Sequence, residues 1–464
     1  MPKVTIGDTV YSATDGELLS SVLNRNGIGV EHHCGGKGTC GKCKIKVNGK
    51  EELSCRYVIS SDISVEPVEK TEIVSEAGVT ESGISTEHLC LALDIGTTTL
   101  ALALISLDDK NAVKVITATN PQRAYGADVI TRIDYCRKNS VAELHNSVIA
   151  RINKMIEQLG VSMIDTMFVS GNTTMLHLFF GTDCSSIGVA PYTPVFLDSR
   201  TENAETLGIV GVGKTISLPS ISSFVGADIV AGLNYIGIPK DNKYNLLIDL
   251  GTNAEIVLYS NTKGVATAAA AGPCFEGANI SCGMSATSGA IYAFEMSDGK
   301  PTYKTIGDAE AKGICGTGLI DIISQLLAND IIDETGYMDE DYYLSDNVYL
   351  SCEDVRQYQL AKSAVYSAIL SLMKTENIGF DDIERMYISG GFSAKINISN
   401  AVSSGLLPKE LADKTVAINN SSLLGTIKYS CGEDRLDGYV TTTRYIDLSN
   451  NPDFTNFFVE NMLF

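Results

Sequence analysis

Residues 90–107, CLALDIGTTTLALALISL, and residues 246–259, LLIDLGTNAEIVLY, carry one pattern twice. Each is an apolar run, then Asp-Φ-Gly-Thr, then a second apolar run, which reads as strand, Gly/Thr turn, strand. A single such string would be an ordinary hairpin turn. Two copies with matched flanks are a duplication, and a second pair supports it: MFVSGNTTM at 167–175 and MYISGGFSA at 386–394 are each a short apolar strand ending in Ser-Gly. Between the members of each pair lie helical stripes. AELHNSVIARINKMIEQLG places Leu144, Val148, Ile152, Met155 and Leu159 on one face, and QLAKSAVYSAILSLMKTE does likewise before MYISGG. Each half therefore predicts β-hairpin, strand, helix, strand, helix. The second half holds about 64 more residues between its two motifs, expected within 275–350.

The 464 residues are 44% hydrophobic and 20% charged, enough for several folded domains. With 35 Lys+Arg against 56 Asp+Glu the formal charge is -21, which excludes general nucleic-acid binding and docking on anionic membranes. No apolar run approaches the ~18 residues of a membrane span. The N-terminus, MPKVTIGDTVYSATDGELL, lacks the basic-then-apolar layout of a signal peptide, so the expected location is the cytoplasm. Residues 1–70 hold nine Lys/Arg and nine Asp/Glu, and the whole acidic excess lies beyond them. The expected organisation is a small domain over 1–70, a polar Glu/Ser/Gly-rich linker over 71–88, and a large domain over 89–464 with halves of about 89–225 and 226–464.

In the small domain, VTIGDTVYSA and KCKIKV before NGK read as strands, and ELLSSVLNRNGI as a short helix ending at Gly27. Between helix and strand lies HHCGGKGTCGKC, with Cys34, Cys40 and Cys43 among glycines; Cys55 follows. Four thiols so spaced suit a metal centre, and the glycines let backbone N–H groups come close to the sulfurs. The spacing favours a [2Fe–2S] cluster. Zinc is the alternative, although structural zinc sites usually pair two CxxC knuckles and this segment has one. His32 and His33 do not make a Rieske site, because four cysteines already fill the ligand set. The other eight cysteines are scattered; Cys274, Cys282 and Cys315 read as buried thiols rather than a second cluster. The segment resembles the [2Fe–2S] ferredoxins.

The large domain resembles the actin-like (ASKHA) ATPase superfamily. The fold class is thus an α+β ferredoxin-like N-terminal domain followed by an α/β duplicated actin-like ATPase, of ribonuclease H-like fold. The resemblance implies two halves facing across a cleft, with hairpin turns that grip the phosphates of ATP. The residues suit phosphate binding, since Gly96 and Gly251 let the backbone close on oxygens, while Thr97, Thr98, Thr99, Thr252 and Asn253 add donors. The resemblance further implies that Asp94 and Asp249 hold Mg²⁺ through its waters and that Gly390 and Gly391 lie against the adenosine. Asp228 falls where an acidic residue often stands near the attacking water or metal; a charge at a helix N-terminus is the competing reading. Glu276, Gly316 and Gly318, in Gly-rich segments, are expected beside the cleft. Gly208–Thr215, GIVGVGKT, matches the Walker A string, but TISLPS follows where a P-loop must open a helix, so it reads as strand and Gly turn.

The two domains together resemble the reductive activators of corrinoid proteins, with NPQRAYGADVITRI, SGNTTMLHL, GPCFEGANI, GICGTGLIDII and ISGGFSAKI as the matching strings. The resemblance implies an ATP-hydrolysing iron–sulfur activase that passes one electron through the [2Fe–2S] cluster to a corrinoid protein, Co(II) to Co(I). Its cofactors would be the cluster, ATP and Mg²⁺. Its partners would be the corrinoid protein, an upstream electron-donor protein and, optionally, a second copy in a homodimer, with no nucleic acid and no membrane. Two alternatives stand beside it: an ATP-driven donor to another metalloprotein, similar to the activators of acyl-CoA dehydratases, and an ATP-binding scaffold or small-molecule kinase with an appended electron carrier.

Overall fold

The computed structural model describes residues 1–26, 28, 38, 43–66, 87–297, 299–391, 393–433 and 436–464. Residues 27, 29–37, 39–42 and the linker segment 67–86 lie outside this set, and with them Cys34, Cys40, His32 and His33.

The small domain is a five-stranded mixed sheet in the order Thr9–Ser12, Lys3–Ile6, Ile63–Val65, Lys44–Val47, Lys50–Leu53. Lys3–Ile6 runs antiparallel to Thr9–Ser12 and parallel to Ile63–Val65, so the first and last strands of the domain are neighbours. The NGK signal is a two-residue turn: Val47 pairs with Lys50, and Asn48 and Gly49 both have positive φ, 50° and 78°, as the twist of a tight hairpin requires. Helix Leu19–Arg25 turns Leu19, Val22 and Leu23 onto this sheet, where they bury against Val4, Ile45, Ile59 and Ile63.

The duplication is visible in the topology. The first large sheet has the order Asn111–Thr119, Thr99–Ser106, Leu89–Ile95, Ile164–Gly171, Val212–Ser217, Thr201–Asn203. The second has Thr415–Ala417, Ile383–Ser389, Tyr244–Leu250, Ala254–Tyr259, Gly264–Ala269, Thr443–Tyr445. In each, a three-strand antiparallel meander sits beside two parallel strands that join through the meander's first strand. The central strands are buried on both faces, which is why they read as unbroken apolar runs.

Helix Val141–Leu159 buries all five predicted stripe residues, together with Ile149 and Ile156, and ends at Gly160 with φ 73°. The second predicted helix is longer than its stripe. It spans Cys352–Glu376 because Ser351 and Asp354 form a capping box that starts it seven residues before Gln359. The extra residues of the second half lie where expected. They form a three-stranded sheet of Ala290–Ser297, Lys300–Thr305 and Gly313–Ile314, the helix Gly316–Ala328, and a two-stranded ribbon, Tyr342–Tyr343 with Tyr349–Leu350. No helix among the described residues is long and apolar enough to cross a membrane.

By contacts the chain divides into two compact units, Met1–Asn234 with Ser422–Asp434, and Tyr235–Ser421 with Arg435–Phe464. The position expected between the halves, 225/226, lies just ahead of helix Ala227–Ile236, most of which belongs to the first unit. That helix is held by helix Ser421–Ser430, whose chain comes back from the second unit. Gly425 meets Ala231 so closely that a Cβ on it would stand 1.7 Å from the Ala231 carbonyl oxygen, and Asn234 Nδ2 donates to the Glu433 carbonyl at 2.9 Å. Gly425→Ala should therefore force the two helices apart and destabilise the first unit by about 3 kcal/mol. Gly438→Ala, in the helix Leu436–Thr442 with nothing within 4 Å of its would-be Cβ, should be neutral or slightly stabilising. Thermal unfolding of the two variants side by side checks this.

Candidate functional site

Two sets of functional side chains are built by separate local structures. In the small domain, the hairpin of Lys44–Val47 and Lys50–Leu53 pairs Lys44 with Leu53, and the Ser54 amide donates to the Cys43 carbonyl at 3.0 Å. This register brings Cys43 and Cys55 to one end of the hairpin with their sulfurs 3.2 Å apart. Cys43 is 1% and Cys55 4% exposed. The separation is well beyond the ~2.05 Å of a disulfide, and two such buried sulfurs can serve one metal centre. Gly38, with φ 71°, lies against the Arg56 side chain. Cys34 and Cys40, the other two expected ligands, are outside the described residues.

In the first unit, the turn after Leu89–Ile95 closes when the Gly96 amide donates to the Thr99 carbonyl at 3.0 Å; a Cβ on Gly96 would stand 2.6 Å from that oxygen. The turn is braced from behind. Asn120 donates its amide N–H to the Thr98 carbonyl at 2.9 Å and its Nδ2 to the Gly96 carbonyl at 2.8 Å. Arg132, fully buried, donates Nη2 to the Thr97 carbonyl at 2.5 Å and Nε to the Gly126 carbonyl at 2.9 Å. Asn172, which caps helix Thr173–Phe179, donates Nδ2 to Thr97 Oγ1 at 3.2 Å. The carbonyls of Gly96, Thr97, Thr98 and Thr99 are thus all occupied by donors.

Asp94 is 8% exposed and accepts a 2.7 Å bond from Ser422 Oγ, which also lies 2.9 Å from Ser170 Oγ. Asp228 is half-buried in the first turn of Ala227–Ile236, and its Oδ1 accepts from the Ile229 amide at 2.9 Å. It also approaches the Asn172 segment, since a Cβ on Gly226 would stand 2.5 Å from Asn172 Cα and 2.8 Å from Asp228 Oδ1. The first unit thus gathers Asp94, Gly96–Thr99 and Asp228 around Asn172.

The second unit repeats the turn with one residue fewer. Leu250 pairs with Ala254, whereas Ile95 pairs with Leu100, and the Gly251 amide donates to the Asn253 carbonyl at 2.9 Å. Asp249 pairs across with Glu255, and Thr252 Oγ1 donates to Glu276 Oε2 at 2.5 Å. Gly316 and Gly318 are buried and serve packing: a Cβ on either would stand 2.1 Å from the carbonyl oxygen of Phe275 or Ile291. Gly316 seats helix Gly316–Ala328 against the Pro273–Glu276 turn that presents Glu276, and Gly318 seats it against strand Ala290–Ser297. Gly390, φ 115°, lies against the Leu250 carbonyl, at 2.2 Å from a would-be Cβ, while Gly391 has nothing within 4 Å and is open to a ligand.

Other expectations resolve simply. Lys214 sits within strand Val212–Ser217, paired with Thr166 in the neighbouring strand and 3.8 Å from Asp165, and the strand runs on past Thr215 where a P-loop would open a helix, so the Walker-like string is not a P-loop. Cys274 and Cys315 are buried, and burial pushes the Cys274 thiol up to about 12. Among the described residues no group of three or more His, Cys, Asp or Glu could hold a metal. Asn120, Arg132, Asn172 and Ser422 are the residues that sequence reasoning missed. The first two lie in the NPQRAYGADVITRI string, whose Asn-Pro-Gln opening into a capped helix was a signal; Ser422, 328 positions from Asp94, offered none.

Comparison with known proteins identifies the domains that carry these residues. Residues 4–72 match the 2Fe-2S iron-sulfur cluster binding domain, 89–241 the RACo middle region, and 243–464 the C-terminal domain of RACo, the ASKHA domain. The corrinoid activation enzyme RamQ of Eubacterium limosum is 27% identical, with 96% of each chain covered. The [Co(II) methylated amine-specific corrinoid protein] reductase of Methanosarcina barkeri is 26% identical over 80% of this chain and 76% of its own. A solved structure, that of a reductive activator for corrinoid, iron-sulfur protein, superposes with a TM-score of 0.72 at 26% identity, covering 100% of this chain and 98% of the other. With an iron–sulfur cluster binding domain ahead of consecutive RACo regions that together fill the large domain, the chain belongs to the family of reductive activators of corrinoid proteins.

Proposed function

We propose that this protein is an ATP-dependent reductive activator that delivers one electron from a [2Fe–2S] cluster to a corrinoid protein, Co(II) to Co(I). The observation that carries the reading is the presence, in one chain, of the buried thiol pair Cys43 and Cys55 and of a duplicated, braced Asp-Φ-Gly-Thr turn. A redox centre alone supplies an electron without driving force. A nucleotide site alone supplies free energy without an electron. The names of the full-length relatives, a corrinoid activation enzyme and a Co(II) corrinoid protein reductase, support the choice of acceptor.

Cys43 and Cys55, with Cys34 and Cys40, would hold the cluster, which supplies one-electron transfer when bound. The buried sulfurs of the first two, 3.2 Å apart, fit that role. Gly96, Thr97, Thr98 and Thr99 in one unit, and Gly251, Thr252 and Asn253 in the other, are the phosphate-binding turns. Asp94 and Asp249 orient the waters of Mg²⁺, as a hydrated hard cation prefers. Asp228 stands near the attacking water, Glu276 fixes the Thr252 hydroxyl, and Gly391 leaves room for the adenosine. Hydrolysis of ATP to ADP and phosphate in the cytoplasm drives the reduction if the protein's two conformations differ in nucleotide affinity. An upstream electron-donor protein re-reduces the chain after each delivery.

Lys214→Ala should leave Mg-ATP binding unchanged by calorimetric titration, since Lys214 lies within a sheet strand. Asp249→Ala or Thr97→Val should lower ATP turnover about 100-fold, the scale of losing an oriented electrostatic contact to the reacting group. Loss of binding in a folded Lys214→Ala protein would overturn the assignment of the turns.

A second expectation concerns coupling. In an anaerobic optical assay of Co(I) formation on a corrinoid protein from the same organism, omission of ATP should stop the reaction even with the chain reduced. Asp249→Ala should behave like the assay without ATP, and Cys43→Ala should deliver no electron. Equal rates with and without nucleotide would reduce the protein to an ordinary ferredoxin and refute the proposal.

A further inference from the structure

The first unit buries a histidine beside the residues that brace its turn. His177 lies in helix Thr173–Phe179 and is 0% exposed. Its Nδ1 stands 2.7 Å from the Thr173 carbonyl oxygen, which can only accept, so Nδ1 carries a proton. Its Nε2 stands 3.0 Å from the Val195 amide nitrogen, which can only donate, so Nε2 is the acceptor. The two partners together fix a neutral imidazole in one tautomer. The ring stacks on Phe196 at 4.3 Å with 14° between the planes, and the Arg200 guanidinium lies over the same phenyl ring at 4.6 Å.

From Val195 the hold of His177 reaches the expected nucleotide residues in two steps. Residues 192–197 are knit to the turn at 220–225: Ser223 Oγ donates to the Tyr192 carbonyl, the rings of Tyr192 and Phe224 meet edge to face at 5.3 Å, and the Ser220 amide donates to the Leu197 carbonyl at 2.8 Å. That turn is fastened to the start of the histidine's own helix, where Thr173 Oγ1 donates to the Ser222 carbonyl at 2.6 Å. Gly226 and Asp228 follow at once. Gly226 rests on Asn172, whose Nδ2 donates to Thr97 Oγ1 at 3.2 Å. Tyr192 and Val195 are 43% and 61% exposed, so little buried apolar surface keeps their segment in place without the histidine.

We propose that His177 is a positioning residue for nucleotide turnover: in its neutral form it fastens residues 192–197, and through them the turn that leads to Asp228, and protonation of Nε2 releases that hold. A second proton on Nε2 would point at the Val195 N–H, donor against donor, on a ring shut away from solvent. The groups around the ring favour the neutral form on balance. Burial pushes the imidazole below its ordinary value of about 6.5; the Thr173 hydrogen bond opposes this, Arg200 adds to it, and the Asp183 carboxylate opposes. His145, on helix Val141–Leu159, meets the far end of the same helix, with Nδ1 2.8 Å from the Phe179 carbonyl oxygen.

Because the folded value is lowered, His177 stays neutral at about pH 6.5, where an exposed imidazole is half charged, and the hold is lost only as the pH falls below that. The Val195 amide then loses its acceptor, and the turn at 220–225 loses the segment it is knit to. The consequence for Asp228 rests on the nucleotide reading above. Asp228 and the Asn172 side chain are displaced from their places beside the Gly96–Thr99 turn, which slows the chemical step. The turn Gly251–Asn253 and the open face of Gly391 belong to the second unit and do not depend on His177, so binding of Mg-ATP changes less than its turnover.

The test uses the full chain carrying 15N-labelled histidine, with imidazole spectra and ATP turnover followed from about pH 8 down to about pH 5.5. The His177 signals, identified by their loss in a variant, should show Nδ1 protonated and Nε2 bare at neutral pH, with the second proton taken up below about pH 6.5. Along that titration kcat should fall about tenfold while KM for Mg-ATP changes less than about threefold, part of the ~100-fold that a 1 Å misplacement can cost. His177→Gln and His177→Asn, tested together so that one folded variant suffices, do not titrate; they should turn ATP over more slowly at neutral pH and lose the acid limb. His145→Gln should keep the limb, which separates the two histidines of this helix junction. The inference is overturned if Nε2 is protonated at neutral pH, if the limb survives in a folded His177 variant, or if His177 takes up its proton and kcat does not follow. Should the chain not turn over ATP at all, the nucleotide reading falls, and with it the effect on Asp228, while the nitrogen spectra still decide the bond to Val195.

Discussion

A carboxylate shut away from water needs a hydrogen-bond donor, and in the first unit that need shapes the chain path. Asp94 closes the central strand of its sheet and receives the Ser422 hydroxyl. Ser422 in turn meets Ser170 at the end of the neighbouring parallel strand, and Thr426 Oγ1 donates to the same serine at 2.8 Å. To deliver these hydroxyls the chain must return from the second unit as the helix Ser421–Ser430, which then fits over Ala227–Ile236 because Gly425 has no side chain. The residue just before, Ser421, belongs to the second unit and pairs at 2.7 Å with Ser389, next to Gly390. Two consecutive serines thus serve matching strand ends in different units.

The duplicated halves have kept their sheets and diverged at the turns. The first turn has one more residue and is held by donors from Asn120, Arg132 and Asn172; the second is shorter and has its threonine tied to Glu276. The added segment of the second half explains this difference. Its helix Gly316–Ala328 seats against the Pro273–Glu276 turn through Gly316 and against strand Ala290–Ser297 through Gly318, a support for Glu276 that the first half lacks in that form. A buried arginine and a supported glutamate are two solutions to one requirement, that the Gly/Thr turn hold its shape.

Much was legible along the chain because it is local. The Asn48-Gly49 turn, the apolar strands, the stripe of Val141–Leu159, the repeat of Asp-Φ-Gly-Thr and the fate of the Walker-like string all follow from residues within a few positions of one another. The four-cysteine spacing is of the same kind, and folding adds to it the hairpin register that sets Cys43 beside Cys55. The early start of Cys352–Glu376 was a local signal overlooked, since Ser351 and Asp354 stand at capping-box spacing.

By itself the sequence determined the duplication, the fold classes of the two parts and the order of elements, because periodicity and turn chemistry act between near neighbours. Only the tertiary structure decided which polar residues brace the turns and that Gly316 and Gly318 serve packing. Those are pairings between distant parts of the chain, set by close approach and by the need to satisfy buried donors and acceptors, and neither leaves a spacing to read.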